Sequence, residues 1–111
     1  MTAPDFSDWH EPWPLTPTLR TLAEPRPVIV DINRALPLAK HAQRPDRLPL
    51  RILAGGLRLE ATMPGRLHAW ARLVDGQWLA CCEIRVTTGD GKTGFDMWLW
   101  VTADAVFVDS P

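Results

Sequence analysis

The side chains that could support nucleophilic catalysis are few and poorly placed for it. The only serines, Ser7 and Ser110, lie near the two ends of the 111-residue chain. Cys81 and Cys82 are adjacent, and His68 lies across a predicted hairpin from them. A lone histidine beside a thiol supplies no group to orient it, so the nucleophile, base and orienting residue are not assembled. We therefore predict no catalytic residue and a protein that is not an enzyme.

The adjacent cysteines also bear on redox state. Neighbouring side chains of a strand point to opposite faces, so Cys81 and Cys82 cannot join distant segments, and a ring between neighbours needs strained geometry. We expect one thiol to fill the core and the other to be partly exposed. Reduced cysteines are typical of the cytoplasm, which is the predicted location.

Metal and phosphate sites are not indicated by the residue spacing. His10, His41 and His68 are about thirty residues apart, whereas metal ligands cluster. One loop contains the triplet Gly-Lys-Thr, but the phosphate-loop motif needs glycine where Val86 stands and a helix where a strand is predicted. We predict neither a metal nor a cofactor.

The charge is unevenly distributed, although the formal net charge is only −1. Residues 1–18 carry three acids and no base, residues 19–72 carry ten bases and four acids, and residues 73–111 carry two bases and six acids. A basic middle segment is compatible with a nucleic-acid partner. It is equally compatible with acidic ends docking on a basic middle, within one chain or between two.

The nucleic-acid alternative rests on the basic region 34–72 and one aromatic platform. Its candidate residues are Arg34, Lys40, Arg44, Arg47, Arg51, Arg58, Arg66, Arg72 and Trp70. The arginine-rich, alanine-rich and proline-rich composition is also typical of a bacterium with a high-GC genome, which would explain a solvated basic face without any ligand.

Tryptophan and proline indicate a protein partner. Nine of the eleven prolines lie in residues 1–49, so residues 1–26 are predicted to be an extended Pro/Trp-rich arm, followed by a single domain over 27–111. Apolar arm residues are expected to dock on the domain, on a second copy or on a partner. The predicted partner-binding residues are Trp9, Trp13, Trp98 and Trp100, because tryptophan is enriched at interfaces. We expect a binding or adaptor module that acts through protein–protein contacts, with a homodimer as one form.

The second half of the chain reads as short strands. Asp75-Gly76 between two β-rich runs predicts a hairpin. Other turns are predicted at 63–65 and, as a single helical turn, at 102–105. A short helix is expected near 35–43, capped by Asn33. Strands are predicted at 27–32, 57–63, 66–74, 77–88, 95–101 and 106–108.

The order of these elements resembles that of SH3-like barrels. The resemblance is strongest in the run 98–106, Trp-Leu-Trp-Val-Thr-Ala-Asp-Ala-Val, where a strand, one helical turn and a short closing strand follow one another. It covers about half of the chain and implies a mainly β fold with a small five-stranded barrel over about residues 50–109. The acidic loop and paired tyrosines of peptide-binding SH3 domains are absent, so no binding residue is carried over, and fold alone does not imply function.

The chain contains no apolar run near the ~18 residues that a membrane helix needs, so no membrane partner is predicted. The first ten residues contain acidic positions and no basic region, so no signal peptide is expected.

Overall fold

The structure is a computed structural model that describes residues 3–38 and 42–108. Two short α-helices are present, α1 (Ile32–Ala35) and α2 (Leu50–Gly55), with single 3-10 turns at Pro45–Arg47 and Ala103–Ala105. The strands are β1 (Leu19–Asp31), β2 (Leu57–Arg58), β3 (Thr62–Arg72), β4 (Trp78–Thr88), β5 (Gly94–Thr102) and β6 (Val106–Val108). The prediction of a mainly β fold is confirmed.

All six strands form one antiparallel sheet. The sheet follows the path β2–β4–β3–β1–β6, and β5 also pairs with β4. A single 3-10 turn carries the chain from β5 to β6, although β6 ends the hydrogen-bonded path and β5 lies off it, beside β4. No pairing joins β5 to β6 in the described residues, so the sheet is not closed and a barrel is not confirmed.

The sheet takes one long strand from outside residues 50–109. β1 begins at Leu19, crosses residue 26 and ends at Asp31, so part of the predicted arm is a sheet strand. The prolines of β1 are accommodated where pairing is incomplete. Pro25 lies in an irregularity between the pairs formed by Thr21 and Arg26, and Pro27 precedes the three residues that pair with β6.

The predicted turn at 63–65 is wrong, because Met63, Pro64 and Gly65 lie inside β3. Pro64 pairs with Ile29 of β1, and the pairing of β3 with β4 extends only as far as Gly65. The proline therefore occupies a position with a neighbouring strand on one side only, where its missing N–H is tolerated.

The predicted helix at 35–43 is also largely wrong. Helix α1 ends at Ala35, residues 36–38 and 42–43 are not helical, and residues 39–41 lie outside the described residues. Its N-cap is Asp31 rather than Asn33, and the Asp31 carboxylate accepts a hydrogen bond from the backbone N–H of Arg34. Helix α2 was not predicted from the sequence.

Two predicted turns are confirmed. The hairpin between β3 and β4 turns at Asp75-Gly76, where Gly76 has a φ of 91° that favours glycine. The 3-10 turn Ala103–Ala105 stands where one helical turn was predicted. The loop with the Gly-Lys-Thr triplet is a turn held by Asp90, whose carboxylate accepts from the Thr88 hydroxyl and the Lys92 backbone N–H.

The core lies on one side of the sheet, here called the inner face. Ile84 is the largest fully buried side chain, and it packs with Val28, Val30 and Val86. Alternation along β5 is as predicted, since Met97 and Leu99 pack against this core. No helix in the described part of the chain is long and apolar enough to span a bilayer.

Candidate binding groove and arm loop

The inner face continues beyond the core into an open groove. Trp78 begins β4 and shares the inner face with buried Ala80, because alternate residues of a strand point the same way. Trp70 of β3 pairs with Ala80, which brings the two indoles onto the same surface. The cavity there has a volume of about 280 Å³. Its lining residues are Arg20, Trp70, Trp78 and Ala103.

Two arginines flank the Trp78 ring. The Cζ atom of Arg20 lies 4.8 Å from the ring centroid, and that of Arg72 lies 5.4 Å from it. Strand register accounts for both contacts, since Arg20 pairs with Trp70 and Arg72 pairs with Trp78. Trp78 is half-buried, and a guanidinium over an indole contributes about 0.5–2 kcal/mol, depending on how far the pair is desolvated. The side chains are thereby held as a layered unit at the mouth of the groove.

The chemistry of this groove is that of a binding site. Its floor is aromatic, and its rim carries two permanent positive charges with N–H donors, a combination that suits an acidic or planar ligand. None of the lining residues is a nucleophile or a general base. The described residues also contain no group of three or more His, Cys, Asp or Glu placed to hold a metal ion.

The predicted nucleic-acid residues do not form one patch. Among those that lie in the described part of the chain, only Trp70 and Arg72 are at the groove. Arg66 is on the opposite face, here called the outer face, and its guanidinium lies 3.0 Å from the Glu83 carboxylate. Arg58 donates to the backbone carbonyl of Gly89 at the far end of β4.

The remaining basic residues are dispersed as well. Arg34 bridges to Asp31 at 3.5 Å and donates to the Asp104 carbonyl. Arg44 bridges to Asp46 at 3.6 Å. Arg47 and Arg51 are exposed near α2, and Lys40 lies outside the described residues.

A second candidate surface is the arm loop, residues 11–18. The Glu11 carboxylate closes it by accepting hydrogen bonds from the indole N–H of Trp9 and from the backbone N–H groups of Thr18 and Leu19, at 2.8–3.3 Å. Within the loop, the backbone N–H of Thr16 donates to the Trp13 carbonyl, forming a tight turn. The arm loop is therefore a folded element joined to the first residues of β1.

This loop exposes apolar side chains instead of burying them. Trp13 is 72% exposed and Leu15 is 99% exposed, and Trp9 is 50% exposed although its indole N–H is bonded. Of the three docking surfaces expected for the arm residues, Trp13 and Leu15 do not use the domain of their own chain, and a second copy or a partner stays a prediction. Their exposure makes this loop an apolar projection on the surface.

Trp98 and Trp100 lie on the outer face and contact other rings of the same chain. The ring centroid of Trp98 lies 4.4 Å from that of His68, and Trp100 meets Phe6 of the arm edge-on at 6.0 Å. Phe6 thus partly covers this face, while Trp100 remains 39% exposed. Of the four predicted partner-binding tryptophans, Trp9 and Trp13 are the more exposed pair.

His68 faces a carboxylate and not the cysteines. It lies in an irregularity of β3, and its Nε2 is 3.1 Å from Glu83 Oε1, which also contacts Arg66. Cys81 and Cys82 are both fully buried, so the expected partly exposed thiol is not found. Ala69, which pairs with Cys81, is fully buried as well.

We expect neither thiol of the native protein to react with a disulfide reagent at pH 8. Burial raises the pKa of Cys81 to about 11, and burial together with the neighbouring Cys81 raises that of Cys82 to about 12. Since the thiolate is the reactive form, roughly a thousandth or less of each thiol is reactive at that pH. Titration with Ellman's reagent should detect both thiols only after unfolding in guanidinium. Rapid modification of the folded chain would contradict the buried placement and reopen the question of catalysis.

We expect acid to release the arm loop. The hydrogen bonds from Trp9 and Thr18 lower the pKa of Glu11, so its carboxylate stabilises the folded loop above the ordinary glutamate pKa of about 4.3. That stabilisation is lost as the pH falls through the lowered folded-state value. The Trp9 indole N–H signal in an NMR titration should shift towards its free position over that range. In Glu11→Gln the signal should be near its free position already at pH 7, whereas Glu24→Gln, at an exposed site in β1, should leave it unchanged.

Arg20, Trp78 and Glu11 are functional candidates that were not predicted from the sequence. The predicted hairpin at Asp75-Gly76 places Trp78 opposite Arg72, so the contact between these two side chains could have been predicted from the sequence. Arg20 could not be placed in the same way, because the prolines concealed the first part of β1. The hydrogen bonds from Thr18 and Leu19 to Glu11 join residues seven and eight positions apart in irregular chain. No helical or strand periodicity relates these positions, so the bonds could not be predicted from the sequence.

No family model, no curated protein and no solved structure matches this chain.

Proposed function

We propose that this chain is a non-catalytic protein-binding module whose arm loop inserts Trp13 and Leu15 into an apolar cleft of a partner protein. The observation that carries the proposal is the combination of order and exposure in the arm loop. A carboxylate with several hydrogen-bond donors fixes the loop, yet its two largest apolar side chains are 72% and 99% exposed. Fixing such side chains in advance lowers the entropic cost of binding, and tryptophan is a frequent anchor at interfaces.

The chemistry of the arm also restricts the partner. Residues 3–18 contain Asp5, Asp8 and Glu11 and no lysine or arginine. A cleft that accepts Trp13 and Leu15 should therefore have basic residues at its border, because complementary charge favours association.

Site-specific photo-crosslinking in the native host tests this proposal. With benzoylphenylalanine at position 13 we expect one discrete covalent adduct, because the inserted side chain lies inside the partner. The same probe at position 74, where Val74 is fully exposed in the hairpin, should give none. Leu15→Asp should suppress the adduct at position 13, since a buried carboxylate opposes insertion. Equal, diffuse labelling from both positions would contradict the proposal.

A second candidate function is binding of single-stranded nucleic acid at the groove. It is supported by Trp70 and Trp78, on which bases could stack, and by the flanking Arg20 and Arg72, which could contact phosphate. Fluorescence anisotropy with a labelled oligonucleotide at ~50 mM salt should then show binding that Trp78→Ala weakens at least tenfold. An absence of binding at this low salt concentration would eliminate the candidate.

Two finer assignments belong to the proposal. The single 3-10 turn between β5 and β6 supports an SH3-like barrel with one open seam, in which β1 supplies a strand from the N-terminal part of the chain. The two free cysteines support a cytoplasmic location.

A further inference from the structure

We infer that the arm loop docks in the groove of a second copy of this chain, so that two copies form a reciprocal dimer. The inference rests on the proposed function and names its partner. Trp13 and Leu15 of one copy would lie on Trp70 and Trp78 of the other, beside its Arg20 and Arg72.

The two surfaces are complementary in charge and in polarity. The arm, residues 3–18, carries three acids and no base, whereas the groove has two arginines at its rim. The loop presents an indole and a leucine side chain, and the groove presents two indoles with Arg20 and Ala103 as walls. The opposite charges would steer two copies towards each other, and the apolar side chains of both surfaces would be buried in the contact.

The two surfaces are also neighbours on the same molecule. The backbone N–H of Arg72 donates to the Thr18 carbonyl at 2.7 Å, so the base of the arm loop adjoins the rim of the groove. Arg20 follows Thr18 by two residues in β1. A patch that contains both a projection and its complementary cleft is self-complementary, and a two-fold rotation can satisfy both halves at once.

Within one chain the loop does not fill this groove. Trp13 and Leu15 remain exposed while Glu11 and Thr18 hold both ends of the loop against β1. The loop thus projects while its own groove stays open, which leaves both available to a second copy.

Analytical ultracentrifugation of the full chain tests the dimer. We expect a species of twice the 12.5 kDa chain mass that dissociates as salt is raised. The arm variant Trp13→Ala/Leu15→Ala and the groove variant Arg20→Glu/Arg72→Glu should each raise the dissociation constant at least tenfold. A matched control is Arg47→Glu/Arg51→Glu, which makes the same change of charge at the end of the first 3-10 turn and in α2. Helix α2 contacts the end of β4 remote from Trp78, so the control should not alter the constant.

Mixing the two defective variants gives the most specific test. A homodimer of either variant has no intact contact, whereas a mixed dimer joins the intact groove of the arm variant to the intact loop of the groove variant. We expect the mixture to associate more tightly than either variant alone and less tightly than the natural chain. Circular dichroism of each variant should match the natural chain, which separates lost docking from lost folding.

Three results would overturn the inference. The natural chain could remain monomeric at ~1 mM, a concentration at which even a weak contact of about −4 kcal/mol is half-formed. A dimer could persist in both the arm and the groove variants, which would place the interface elsewhere. An oligonucleotide could occupy the groove of a monomeric chain, which would assign that groove to nucleic acid.

The crosslinking experiment separates this failure from that of the proposed function. A position-13 adduct with a different protein, together with a monomeric chain, would retain the binding module and reject the self-partner. If neither an adduct nor a dimer were found, both the binding module and the self-partner would be rejected.

Discussion

Replacing Ile84 with alanine is expected to lower the free energy of unfolding by about 2–5 kcal/mol, because the change removes buried methyl and methylene groups and leaves a cavity. Ile84 is 1% exposed and is the largest fully buried side chain within residues 3–38 and 42–108. It lies on β4, the strand that pairs with β2, β3 and β5, so its surroundings are fixed and can collapse only partly into the space. Small domains have total stabilities of about 5–15 kcal/mol, so this loss is a substantial share.

Urea denaturation followed by tryptophan fluorescence measures the effect. Ile84→Val should cost only about 0.5–1.5 kcal/mol, since one methylene is removed. Ile52→Ala is the matched control, because Ile52 is 42% exposed on α2 and the same side-chain change removes less buried surface there than at Ile84. Equal losses at positions 84 and 52 would contradict the placement of the core on the inner face.

The second large effect is expected for Gly65→Ala, with a loss of about 1–3 kcal/mol or more. A Cβ atom at position 65 would lie 2.9 Å from the Glu83 carbonyl oxygen, 2.9 Å from Ile84 Cγ2 and 3.4 Å from Val30 Cγ2. The first neighbour is backbone of β4 and the other two are fully buried core side chains, so none can move without disturbing the sheet.

Gly55→Ala provides the control for this substitution. Gly55 ends α2, and a Cβ atom there meets nothing within 4 Å. We expect unchanged stability or a gain of up to about 1 kcal/mol, because alanine restricts the unfolded chain more than glycine does. The same denaturation experiment compares both variants, and a Gly65→Ala protein as stable as Gly55→Ala would show that β3 and β4 are not in close contact at this point.

The parts of the fold that the sequence predicts are those governed by local chemistry. Asp75-Gly76 defines a two-strand hairpin, and the alternation of Met97 and Leu99 with Trp98 and Trp100 assigns the two faces of β5. These rules use residues that are neighbours in the chain, so no knowledge of the remaining molecule is needed. The same holds for the 3-10 turn before β6.

The parts that the sequence did not predict depend on distant neighbours. Pro64 signals a turn when considered alone, and it is a strand residue because β4 does not pair with it. The long β1 was concealed in the same way by Pro25 and Pro27. The groove depends on this strand, since Arg20 reaches Trp78 only when β1 pairs with β3. Residues 34–72 were predicted as one basic region, but their side chains separate onto two faces and two ends of the sheet.

The unpaired seam between β5 and β6 gives the molecule a weak point. β6 has three residues, it pairs only with β1 among the strands of the described residues, and its Phe107 and Val108 are about half exposed. A strand that is paired on one side only can detach by local unfolding while the β3–β4 hairpin stays intact. The free energy of this local unfolding is a fraction of the free energy of global unfolding. Detachment of β6 exposes the edge of β1 at Val28–Val30, where the unpaired backbone groups can form hydrogen bonds with another extended chain. At high protein concentration, aggregation by strand addition would therefore begin at this edge of β1 and not in the core.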